Sequence, residues 1–75
     1  MTNQELALAA LAEVSATNVA ELRPDMDLVA DLGIDSPKAL RLLVELEDRL
    51  GVEIDDDEAS SMRTVGDILE FVGRV

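Results

Sequence analysis

The chain has 75 residues, no Cys and no His, and its 17 acidic and 6 basic residues give a net charge of −11. This composition excludes disulfides and the usual zinc ligands, removes the imidazole that a serine nucleophile needs, and disfavours binding to nucleic acid or an anionic membrane. No apolar run approaches the roughly 20 residues of a membrane span. We therefore expect one domain over residues 1–75, monomeric and cytoplasmic, with an aliphatic core.

The first helix is predicted to begin at "TNQEL", because Thr2 and Glu5 have the spacing of a capping box. Residues 6–14 favour a helix throughout, and the helix is expected to fade over residues 15–18. Ala and Leu wrap most of the way round this segment, so two apolar stripes are possible. One consists of Ala7, Ala10, Leu11 and Val14, and the other of Leu8, Leu11 and Ser15.

A long connector over residues 17–35 follows, in which Pro24, Gly33 and several Asp residues prevent a long helix. Apolar residues recur along it, which predicts that it is pinned to the core: Leu22, Leu28, Leu32 and Ile34. Gly33 is expected to adopt a backbone conformation that a side chain would hinder.

The clearest helix is "SPKALRLLVELEDRLG", with Ser36 predicted at the N-cap, Pro37 at the first helical position and Gly51 as the stop. Its three- and four-residue spacing predicts a core face of Ala39, Leu42, Leu43, Leu46 and Leu50. Leu40 and Val44 lie beside that face and are expected to be partly exposed.

The rest of the chain predicts an extended segment, one helical turn over residues 57–61 and a last helix that begins at Thr64. The apolar stripe of the last helix is Val65, Ile68, Leu69 and Val72. The carboxylates of residues 55–58 lack the spacing of a calcium loop and are interpreted as an acidic helix cap, with no metal site. The fold class is a small all-α bundle of three main helices and one short helix, with a long first loop.

Ser36 has several possible roles. It could cap the helix, accept a proline-directed phosphate, or act as a hydrolase nucleophile with Asp31 or Asp35, although the missing His disfavours the last. The N-terminus of a helix also favours a phosphate or a phosphodiester, so Ser36 could also be an attachment point, although the residues alone favour the plain cap.

"DLGIDS" followed by an amphipathic helix resembles the phosphopantetheine attachment site of acyl carrier proteins. The resemblance extends through "LVELEDRLGVEID" to "TVGDIL". It implies a four-helix carrier bundle in which Ser36, beside Asp35, bears 4′-phosphopantetheine installed from coenzyme A by a phosphopantetheinyl transferase. Such a carrier has no catalytic residues. It would hold acyl thioesters for ketosynthases or acyltransferases in polyketide, fatty-acid or related natural-product biosynthesis.

The resemblance also implies that partner enzymes dock on the second helix, at Leu40, Val44, Glu47 and Asp48. This chain departs from the family at Pro37, Lys38 and Arg41, where an apolar residue and acidic or neutral residues are common. We include these three in the docking surface. They indicate a specialised, discrete carrier whose partner has an acidic or mixed surface near the arm.

Two other protein classes stay open. An aminoacyl or peptidyl carrier is the nearest alternative, although "LGIDS" has a single glycine where peptidyl carriers commonly have a pair. The other is an acidic interaction module that carries nothing, in which Ser36 only caps its helix.

Overall fold

The computed structural model describes residues 1–75, and it contains four α-helices, one 3₁₀ turn and no strand. The helices are α1 (Asn3–Ser15), α2 (Ser36–Leu50), α3 (Asp56–Ser61) and α4 (Val65–Gly73), and the 3₁₀ turn covers Val19–Glu21. The predicted all-α bundle, with one short helix and a long first loop, is therefore confirmed. None of the four helices combines the length and the apolar character that crossing a membrane requires.

Helix α1 begins where its capping box predicts. The Thr2 Oγ1 accepts the Glu5 N–H at 3.1 Å, and the Glu5 carboxylate accepts the Thr2 N–H at 2.9 Å. Of the two possible apolar stripes, the one that is buried is Ala7, Ala10, Leu11 and Val14. Helix α1 packs on α2 and α4, and both alanines of this stripe are fully buried. Leu8 is only partly buried.

The core is entirely apolar, with 14 buried residues and no buried polar side chain. Leu46 of α2 and Ile68 of α4, each 1% exposed, are among its largest fully buried side chains. Two details differ from the sequence prediction. Phe71, outside the predicted stripe, is buried, whereas Ala39 is exposed because it lies at the rim of a cavity instead of against another helix.

The connector is pinned to the core, as predicted, with Leu28, Leu32 and Ile34 buried. Three backbone hydrogen bonds tie it to the α3–α4 junction and the start of α4. The Leu28 N–H donates to the Arg63 carbonyl at 2.9 Å, the Val65 N–H to the Met26 carbonyl at 3.0 Å and the Gly66 N–H to the Pro24 carbonyl at 2.9 Å. Gly33 has φ +65, in the left-handed region where a side chain is strained. The connector therefore delivers the start of α2 to a fixed position.

Candidate functional site

The residue that caps α2 is Asp35, and the prediction that Ser36 is the N-cap is wrong. The Asp35 carbonyl already accepts the Ala39 N–H at 2.7 Å, which places Ser36 inside the helix. The Asp35 carboxylate accepts the Lys38 N–H at 3.2 Å. Asp and Ser are equally good N-cap residues, so capping preference alone does not decide between Asp35 and Ser36. The hydrogen bonds of the first helical turn make Asp35 the N-cap. Pro37 is then the second residue of the helix. An N–H at that position has no acceptor within the helix, so the missing N–H of proline costs no helical hydrogen bond.

This arrangement leaves the Ser36 hydroxyl unused by the fold. Ser36 is exposed, and the only side chain that caps the first turn of α2 is that of Asp35. The hydroxyl lies at the positive end of a 15-residue helix whose first turn contains no acidic residue. An accessible oxygen in this field suits the phosphodiester of a phosphopantetheine group, because the helix dipole favours negative charge there. The residues present therefore fit that group.

Asp31, the other carboxylate upstream of Ser36, anchors the connector. Its Oδ2 accepts the Asp27 N–H at 2.7 Å. Asp27 in turn accepts the N–H groups of Ala30 and Val29, and these two bonds, with a smaller contribution from Arg63, hold the pKa of the Asp27 carboxyl below its usual value. The carboxylates of Asp31 and Asp35 both accept hydrogen bonds from backbone N–H groups. This weakens further the interpretation of Ser36 as a hydrolase nucleophile.

Sequence reasoning missed the role of Asp27. The signal that could have found it is an Asp followed at once by a short turn, because Asp side chains bind the backbone N–H groups just ahead of them.

A cavity of about 350 Å³ opens beside Ser36, between α2, the connector and α3. Ten of its 12 lining residues are hydrophobic, and they include Ile34, two residues before Ser36, and Ala39, three residues after it. Its volume lies in the range of small-molecule sites. Sequence reasoning did not find the far wall, at Ala59, Met62 and Arg63, because that segment has no clear apolar period.

Six of the seven predicted docking residues lie on one face of α2, where five are exposed and Glu47 is half-buried. At about 100° per residue, they fall within an arc of about 120°. We call this face the α2 stripe: Pro37, Leu40, Arg41, Val44, Glu47 and Asp48. Leu40 is 63% exposed and Val44 is 55% exposed, as expected. Lys38 lies about 60° outside the arc, on the side away from Leu40.

Arg41 is not wholly free. Its Nη2 lies 3.8 Å from the Glu13 Oε1 of α1, with both side chains about half exposed. The other Glu13 oxygen binds Arg49, which also binds Glu45 at 3.1 Å. Glu45 therefore belongs to an ion-pair network between α1 and α2.

A family model described as "Phosphopantetheine attachment site" matches residues 5–72. An acyl carrier protein of Myxococcus xanthus is 36% identical to this chain, over 96% of each. A meromycolate extension acyl carrier protein of Mycolicibacterium smegmatis is also 36% identical, over 96% of this chain and 77% of that one.

Solved structures agree with these matches. A candidate acyl carrier protein from Mycobacterium tuberculosis superposes with a TM-score of 0.88 and 32% identity, over 97% of each chain. An acyl carrier protein from Enterococcus faecalis superposes with a TM-score of 0.75 and 27% identity, over 96% of this chain and 95% of that one.

These matches confirm the resemblance drawn from "DLGIDS", and with it the prediction of a covalent 4′-phosphopantetheine cofactor. Membership also implies interaction with a phosphopantetheinyl transferase and with biosynthetic enzymes, because the group is installed and used by other proteins. The chain belongs to the family of acyl carrier proteins, which carry acyl groups and are not themselves catalytic.

Proposed function

We propose that the Ser36 Oγ is the attachment point of 4′-phosphopantetheine. We further propose that the chain delivers acyl thioesters to ketosynthases or acyltransferases of a polyketide, fatty-acid or related natural-product pathway. The observation that carries this proposal is the exposed Ser36 hydroxyl, which the fold leaves uncommitted at the positive end of α2. The bound group supplies a terminal thiol, which a chain without Cys cannot provide.

The residues around Ser36 hold it in place while leaving it accessible. Ile34 is 2% exposed, so the chain is anchored to the core two residues before Ser36. Asp35 caps α2 and spares the serine hydroxyl from that task. Pro37 fixes its own φ and stiffens the first turn. A transferase therefore meets the backbone at Ser36 in one orientation, with the hydroxyl on the surface.

The cavity beside Ser36 supports acyl cargo over aminoacyl cargo. An ammonium group placed among ten hydrophobic lining residues would lose its hydration without gaining a partner. An aliphatic chain would instead gain about 0.8 kcal/mol for each methylene it buries. We propose that the acyl chain folds back into this cavity between deliveries.

We propose the α2 stripe as the docking face for partner enzymes, with Lys38 at its edge. The net charge of −11 supports a monomer, because like charge opposes self-association. The cytoplasm is the compartment we propose for this work.

Intact mass spectrometry tests the attachment site. The protein is incubated with coenzyme A, Mg²⁺ and a broad-specificity phosphopantetheinyl transferase. We expect one phosphopantetheinyl addition to the wild type and to the control Ser60→Ala, which changes another exposed serine, and none to Ser36→Ala. A folded wild type that gains no mass, or a Ser36→Ala variant that does, contradicts the proposal.

Thermal unfolding tests the cargo. A hexanoyl-loaded protein should unfold several degrees above the protein with the bare arm, because a 1 kcal/mol gain raises the Tm of a domain this size by about 4–8 °C. Ala39→Phe places a ring at the cavity rim and should abolish that difference. Equal hexanoyl and bare-arm Tm values in the wild type would refute storage in the cavity.

A further inference from the structure

We propose that α2 presents a two-pole docking surface, with a basic pole next to the arm and an acidic pole at its far end. The partner that fits this surface is an enzyme with acidic residues at the entrance for the arm and a basic patch about 10 Å further along. The inference rests on the proposed function, because attachment at Ser36 sets where that entrance lies.

The basic pole is Arg41, with Lys38 at its side. No acidic residue lies in the first turn of α2, and Lys38 is exposed and forms no ion pair. The pair between Arg41 and Glu13 spans 3.8 Å between half-exposed side chains, a geometry that contributes little. Because Arg49 holds the other Glu13 oxygen, Arg41 is the looser of the two partners and can turn toward an incoming carboxylate.

The acidic pole begins at Glu47 and Asp48 and continues onto α3. These two residues share a shallow groove with Glu53, Asp55 and Glu58, and no basic residue lines it. Glu47 is held in place because its carboxylate accepts the Ile54 N–H at 2.9 Å. Three apolar residues also line the groove: Val44, Val52 and Ile54. A basic side chain with an aliphatic stem fits such a surface.

The distance between the two poles allows a partner enzyme to recognise each of them separately. Arg41 and Asp48 are seven residues apart on one face, which is about 10 Å along the helix axis. The Debye length at physiological ionic strength is about 8 Å, so each pole is felt mainly by the partner group opposite it. Val44 lies between the poles and Leu40 lies beside Arg41; both are exposed and apolar, as the centre of a docking interface requires.

A uniformly basic partner would therefore be attracted at one pole and repelled at the other. The repulsion falls near the arm, where the partner must approach most closely. Like-charge contact is an effective way to reject a wrong partner while the apolar centre remains usable. The two poles thus select against enzymes that recognise a wholly acidic helix.

The test uses a purified ketosynthase with a basic rim around its arm entrance, and a variant of it in which the rim residue nearest the entrance is replaced by Glu. The carrier bears a pantetheine analogue with an electrophile that traps the ketosynthase cysteine, and the initial crosslinking rate is measured. With the basic-rim enzyme, Arg41→Glu should raise the rate about three- to tenfold, and Asp48→Lys should lower it by a similar factor. With the Glu-rim enzyme, Arg41→Glu should instead lower it.

Arg23→Glu is the matched control. It makes the same charge change on the connector, where Arg23 pairs only with Asp25 at 3.4 Å. Arg41→Gln avoids placing a second carboxylate beside Glu13 and should give a smaller change in the same direction as Arg41→Glu. If Arg41→Glu and Arg23→Glu alter the rates equally, the response is to net charge and the two-pole surface is refuted. Loading of every variant is checked first by intact mass, so a failure of attachment at Ser36 is seen separately from a failure of docking.

Discussion

Replacing Ser36 and Asp35 separately tests whether capping and attachment belong to different residues. Asp35→Ala removes the carboxylate that accepts the Lys38 N–H, and Ser36→Ala removes a hydroxyl that the fold does not use. Loss of an N-cap costs about 1 kcal/mol, within a range of about 0.5–2 kcal/mol. An exposed substitution without such a role changes the free energy of unfolding by less than about 0.5 kcal/mol.

These free energies translate into a measurable difference. For a domain of this size, about 1 kcal/mol shifts Tm by about 4–8 °C. We therefore expect Asp35→Ala to unfold about 4–8 °C below the wild type, and Ser36→Ala to unfold within about 2–4 °C of it. Asp35→Asn, which keeps a capping oxygen, should recover most of the loss.

The assay is thermal and urea unfolding of the unmodified proteins, followed by circular dichroism. The same samples are then treated with the transferase, and their intact masses are measured. The expected pattern is a stable Ser36→Ala that accepts no arm and a destabilised Asp35→Ala that still accepts one when folded. A Ser36→Ala variant as unstable as Asp35→Ala would refute the assignment of the cap to Asp35.

Three further predictions concern stability. Added NaCl or MgCl₂ should raise the Tm of the wild type, because the charge of −11 repels itself and salt screens that repulsion, and a Tm independent of salt would contradict this. Hydrogen bonds from backbone N–H groups lower the pKa of Asp27 and Asp67 below the ordinary 3.8. These two carboxylates therefore stabilise the folded protein above pH 3.8, and the stabilisation is lost as the pH falls through their lowered pKa values in the folded state. Urea titrations between about pH 6 and 2 should show that the free energy of unfolding falls less steeply with decreasing pH in Asp27→Asn than in the wild type. Identical slopes would refute this contribution of Asp27. Gly33→Ala should destabilise the protein by about 1 kcal/mol in urea, because Gly33 has φ +65. A Cβ at this position would meet no heavy atom within 4 Å, so backbone strain and not a clash is the expected cause, and unchanged stability would refute it.

Local patterns were sufficient for most of the helix ends. Thr2 with Glu5 forms the capping box that its spacing predicts, and the last helix begins after Thr64, as predicted, with a second box formed by Thr64 and Asp67. Gly51 closes α2 in the left-handed conformation, with φ +67. Each of these features depends on residues within about four positions of one another, so the sequence contains both partners of the interaction. The family resemblance was likewise readable from the sequence, in "DLGIDS" and the helix after it together with "LVELEDRLGVEID" and "TVGDIL".

Only the tertiary structure decided which face of α1 is buried, because Ala and Leu surround that helix and the choice depends on α2 and α4. The same holds for Ala39, which has core spacing but borders a cavity, and for Arg41, whose neighbour Glu13 lies on another helix. Sequence determined that a serine would stand at the start of a strong helix. The folded chain decided that Asp35 caps that helix and leaves Ser36 free, because the hydrogen bond from the Ala39 N–H to the Asp35 carbonyl begins the helix one residue earlier than the pattern indicated.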